Sequence, residues 1–96
     1  MTELIVKSDH AEAVRAQVEA AIESQRKLVR DGLRRTRRRL DCLQQKYGFS
    51  TQDLLAREKA PSFDDSNLEL IEWICEARTL DLLEDELRIL DDIRVC

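Results

Sequence analysis

Aromatic residues are scarce in this chain: one tryptophan, one tyrosine and two phenylalanines. That leaves too little bulk for a conventional aromatic-rich globular core. Two glycines and one proline exclude a turn-rich β fold and, with abundant charge and aliphatic residues, favour long helices. There is a single histidine, His10, near a helix start. The three cysteines, Cys42, Cys75 and Cys96, are an odd number without C-x-x-C spacing, which argues against a disulfide framework and a zinc site. No apolar run approaches the roughly eighteen residues of a membrane helix, and no signal-peptide pattern opens the chain. The expectation is a cytoplasmic, soluble protein that keeps off membranes, holds reduced thiols and binds no cofactor or metal.

Charge and aliphatic residues are what the chain does have, 38% charged and 43% hydrophobic. Its 96 residues make one domain, and a domain of this size buries too little apolar surface to be generously stable alone. Homo-oligomerisation is the expected remedy. Net charge is −4, but it is polarised: Arg26 to Arg39 holds eight basic residues against one acid, a balance of +7, and Asp64 to the C-terminus holds eleven acids against three arginines, a balance of −8. The two segments attract each other.

Hydrophobic periodicity predicts an all-α chain of a long helix over about 9–47, a short one over about 51–58 and a second long one over about 68–93, forming a helical hairpin or coiled-coil bundle. Leu4, Ile5 and Val6 are too few to show a period; they fit an edge strand, a staple before the helix or a loose arm. Ser8 or Asp9 is placed to cap helix 1, and Asp9 with Glu12 has capping-box spacing. From Val29 the apolar steps alternate four and three through Leu33, Thr36, Leu40, Leu43 and Tyr47, the signature of a coiled-coil seam. With Ile22, this column is the expected oligomer seam, and Arg26 and Thr36 are its imperfect sites. Gly32 costs roughly 1 kcal/mol relative to alanine in a helix interior, so it marks either a close approach or a bend.

Gly48 is placed to close helix 1 in the left-handed conformation, with Phe49 folding back. Ser50 caps the short helix, Pro61 closes that segment, and the polar run Asp64, Asp65, Ser66, Asn67 starts the last helix. In that helix Leu80, Leu83, Leu87 and Leu90 repeat as a second seam, and with Trp73 they are the expected partner-binding residues. Leu68, Cys75, Leu82 and Ile89 widen its apolar stripe, so it should contact more than one neighbour.

Arg34, Arg35, Arg37, Arg38 and Arg39 permit two functions. Clustered arginines neutralise a nucleic-acid backbone; alternatively they face the acids of the last helix, where an antiparallel hairpin sets position 37 near Glu84, Asp85 and Glu86. The stretch lacks the asparagine and small residues of a groove-reading helix and has no interleaved aromatics for base stacking. Phosphate contact stays open and base readout does not. The carboxylates around Asp81, Glu84 and Asp85 have no histidine beside them, and none of the cysteines has a histidine nearby. Neither supports catalysis, so the chain reads as a non-enzyme. Trp73, with Tyr47, Phe49 and Phe63 as natural neighbours, serves either the chain's own core or an interface.

The run Lys46-Tyr47-Gly48-Phe49-Ser50-Thr51, then Asp53-Leu54-Leu55, the Asp64-Asp65 pair and Glu72-Trp73 followed by a leucine-rich helix, resembles small helical antitoxins of prokaryotic toxin-antitoxin pairs. The likeness spans about Lys46 to Leu90. It implies a non-catalytic protein that binds and neutralises a partner toxin enzyme, often as a multimer. The rival expectation is a coiled-coil nucleic-acid-binding protein using the arginine cluster.

Overall fold

A computed structural model of the chain describes residues 2–5 and 10–95. The order is β1 (Thr2–Leu4), α1 (Ala11–Tyr47), α2 (Thr51–Glu58), α3 (Leu68–Asp91) and β2 (Ile93–Val95). The expected Ser8 or Asp9 cap and the Asp9 capping box lie outside the described residues, as do Val6 and Cys96. At about 1.5 Å rise per residue, α1 alone is about 55 Å long, and it sets the long axis of a 63 × 22 × 19 Å molecule.

Each helix boundary has a local cause. Gly48 adopts φ 75°, ψ 17°, and its N–H donates to the Gln44 carbonyl at 2.9 Å, closing α1. Only glycine takes that left-handed turn without cost. Ser50 Oγ accepts from the Asp53 N–H at 3.1 Å, and Asn67 Oδ1 accepts from the Glu69 and Leu70 N–H groups at 3.1 and 3.3 Å. Both caps satisfy donors that the first helical turn leaves orphaned.

α1 and α3 run antiparallel and pack along most of α3. The buried face of α1 is Val29, Leu33, Thr36, Leu40 and Leu43, the column with alternating four and three spacing. α3 meets it with Trp73, Ile74 and Ala77, while Leu70, Ile71 and Leu80 pack at the margin of the same core. Leu54 of α2 completes that core and is 1% exposed. Gly32 is a close approach: a methyl group there would stand 3.3 Å from Leu83 Cδ1.

Around the α1–α2 corner the aromatics collect. Trp73 is fully buried; Phe49 stacks on it at 5.2 Å between centroids, and Tyr47 lies tilted at 5.6 Å. Phe63 packs at the edge of the same core. The indole N–H donates to Thr51 Oγ1 at 2.9 Å, and that hydroxyl donates onward to Gln44 Oε1 at 3.0 Å. Gln44 Oε1 also accepts the Thr51 N–H at 2.8 Å. One polar chain thereby ties α3 to α2 and α2 to α1, and it leaves no buried polar group of the tryptophan unpaired.

The C-terminal end differs from the expected helix to about 93, whereas the N-terminal end takes the edge-strand alternative. α3 stops at Asp91, and Ile93–Val95 forms a strand that pairs parallel with Thr2–Leu4, in the register Thr2 to Ile93, Glu3 to Arg94 and Leu4 to Val95. A parallel pair needs a long crossover, and here the whole helical hairpin supplies it. The ribbon sits beside the part of α1 that extends past the end of α3. Leu4, Val18, Ala21, Ile22, Leu90 and Ile93 line an apolar groove of about 420 Å³ there.

Candidate interaction surfaces

Three surfaces carry the residues that the sequence singles out: the α1 seam, the leucines of α3, and the arginine cluster. The seam column closes within one chain. Val29, Leu33, Leu40 and Leu43 are 1 to 6% exposed under α3, with Ile22 and Tyr47 half-buried at either end. The column expected to join copies of the chain is therefore already covered, and its apolar area joins the two arms of the hairpin.

The expected partner-binding set is likewise turned inward. Trp73 has no exposed surface, and Leu80, Leu83, Leu87 and Leu90 are half-buried on the hairpin side of α3. The apolar residues that α3 does present are the other column, Leu68 at 74%, Leu82 at 70% and Ile89 at 62% exposed, with the exposed Cys75 completing it. These four positions recur every seven residues over about 32 Å of helix. Glu72, Asp81, Asp85 and Glu86 are exposed on the same helix. Periodicity alone marks both columns as apolar; which one α1 covers is a tertiary fact.

The arginines divide in two. Those flanking the seam bridge to α3: Arg37 lies 3.6 Å from Glu84, Arg39 3.6 Å from Glu72, and Arg30 3.9 Å from Asp91. Arg26, an imperfect seam site, has a structural task. Its Nε stands 3.3 Å from Asp91, and its Nη2 donates to the Leu90 carbonyl at 2.8 Å. A cation at a helix C-terminus satisfies a carbonyl the helix leaves open and meets the negative end of its dipole. Among the described residues Arg34 pairs only with Asp31 on its own helix, and Lys27, Arg35 and Arg38 make no ion pair. The cluster is thus part clamp and part open surface.

At the other end of the hairpin, Glu69 accepts from Lys46 Nζ at 2.6 Å and from the Tyr47 hydroxyl at 2.5 Å. The hydrogen bond from Lys46, followed by that from Tyr47, holds the Glu69 carboxyl below its usual range. The same carboxylate raises Lys46 and Tyr47 above theirs, chiefly through those hydrogen bonds. Asp64 is also lowered, by the hydroxyl and backbone N–H of Ser66. The Glu69 contacts fasten the start of α3 to the end of α1.

Among the described residues no group of histidine, cysteine and carboxylate side chains is arranged to hold a metal ion. No helix is long and apolar enough to cross a membrane. Comparison with protein-family models, with curated proteins and with solved structures finds no match. The surfaces therefore have to be interpreted from their own chemistry.

Proposed function

We propose that the chain is a non-catalytic protein-protein interaction module whose docking surface is the outward column of α3: Leu68, Cys75, Leu82 and Ile89. The observation that carries this is their exposure at seven-residue intervals on a helix whose opposite face is already packed. Scattered surface leucines need no explanation, but an ordered apolar column does, and a heptad column is the shape that accepts another helix. The acids along α3 favour an occupant with lysine or arginine beside its own apolar seam, and complementary charge speeds the encounter.

The resemblance of Lys46 to Leu90 to antitoxins makes the partner a toxin enzyme in the cytoplasm, neutralised by being bound. Co-expression with the product of the adjacent reading frame tests this. Co-purification and rescue of growth, both lost with Leu82→Asp, are the expected results; an adjacent product that neither co-purifies nor is neutralised overturns the antitoxin assignment.

A second function is favoured by one observation, the basic residues that α3 leaves open: Lys27, Arg34, Arg35 and Arg38. They suit phosphate contact along a nucleic-acid backbone. Such binding weakens steeply with salt, and replacing Arg34, Arg35 and Arg38 by glutamine abolishes it. Binding unchanged by those substitutions rules the arginine surface out.

A further inference from the structure

The outward face of α1 repeats the geometry of the α3 column. Ala21, Leu28, Arg35 and Cys42 stand seven residues apart, all exposed, with Leu28 at 64% and Ala21 at the rim of the groove beside the terminal ribbon. That column covers 21 residue steps, the same length as Leu68 to Ile89, so the two faces match end to end over about 32 Å. Their charge balances are opposite: Lys27, Arg34 and Arg38 outnumber Asp31 and Asp41 beside the α1 column, while Glu72, Asp81, Asp85 and Glu86 outnumber Arg78 and Arg88 along α3, with Glu72 already held by Arg39 and Glu86 by Gln25. Pairing two α3 columns instead would set acid against acid, a destabilising arrangement.

We propose that the α3 docking column is occupied by the outward face of α1 from a second copy of this chain. This rests on the docking role of α3 given above and names its occupant. The contact is heterologous, since each copy offers one face of each kind. A partner helix with basic flanks therefore competes with self-assembly for the same column, and free protein is held in a covered form until that partner arrives.

Complementation between two crippled copies tests this. Leu28→Asp removes the α1 face and Leu82→Asp removes the α3 face; both sites are exposed, and far-UV circular dichroism verifies that each variant keeps its helices. In sedimentation equilibrium at micromolar concentration, the wild-type chain is expected to self-associate, with an association constant that falls about tenfold or more as salt screens the opposed charges. Each variant alone is expected to be monomeric, and an equimolar mixture to give a one-to-one dimer. A monomeric wild-type chain overturns the proposal. So does a mixture that stays monomeric, or a Leu28→Asp variant that associates as well as wild type. In that last case, loss of association in Leu82→Asp alone leaves α3 as the docking face and gives it a different occupant.

Discussion

Replacing Thr51 by valine keeps the shape of the side chain and removes one hydroxyl. In the native chain that hydroxyl accepts the indole N–H of Trp73 at 2.9 Å and donates to Gln44 at 3.0 Å. Trp73 has no solvent exposure, so water does not replace the lost acceptor. A buried donor left without a partner costs about 1–3 kcal/mol, and the hydrogen bond to Gln44 adds to that. In a domain of this size each kcal/mol lowers the melting temperature by roughly 4–8 °C. Urea unfolding followed at 222 nm is the assay, with an unchanged m-value showing that the change is one of stability. Trp73→Phe removes the donor itself, so adding Thr51→Val to that background should cost much less than in the native chain. A Thr51→Val penalty under about 0.5 kcal/mol, or one equally large in the Trp73→Phe background, would refute the coupling of α3 to the α1–α2 corner.

Three further outcomes follow from the packing. Leu80→Asp places a carboxylate on the inward face of α3 and should cost about 2–4 kcal/mol; Leu82→Asp, two residues on and facing out, should stay within about 0.5 kcal/mol, as paired denaturation curves would show. Gly32→Leu should destabilise by about 1–3 kcal/mol, because even a methyl group would stand 3.3 Å from Leu83; a neutral result would remove the close approach. Stability of the α1–α3 junction should be flat across neutral pH. Glu69 is depressed from 4.5, so its contribution is present above that value and is lost as pH falls through the lowered pKa. Lys46 and Tyr47 are raised from 10.5 and 10.0, so theirs are present below those values and are lost as pH rises through the raised ones. Melting temperature measured against pH for wild type and Glu69→Gln checks both ends.

Much of the hairpin is legible in the sequence because its causes are local. Gly48, Ser50 and Asn67 mark helix ends through their own conformational and hydrogen-bonding chemistry, and the Val29 to Tyr47 column shows its period directly. The expected meeting of position 37 with the acids near 84 holds, since charge along antiparallel arms fixes partners once the turn is known. What periodicity does not carry is the identity of whatever covers a seam. The α1 column is equally compatible with a second copy and with α3, and α3 itself has two apolar columns of equal period. The short corner decides both by folding α3 back with Trp73 at its base. The terminal ribbon is hidden for a different reason: Thr2–Leu4 and Ile93–Val95 are too short to show alternation, and Ile93 continues the helical pattern that precedes it. Their pairing joins the two ends of the chain, a contact no local pattern contains.

Cys75 reports on the docking face directly, because it sits in the outward α3 column and is exposed in the single chain. With Cys42 and Cys96 replaced by serine, the rate at which a maleimide labels Cys75 can be followed as protein concentration rises. An open column that is covered on docking predicts fast labelling in dilute solution, slowing as the chains assemble, and fast again with Leu82→Asp at any concentration. Labelling that is slow even at high dilution in the folded chain would place Cys75 inside the fold and contradict an outward docking face on α3.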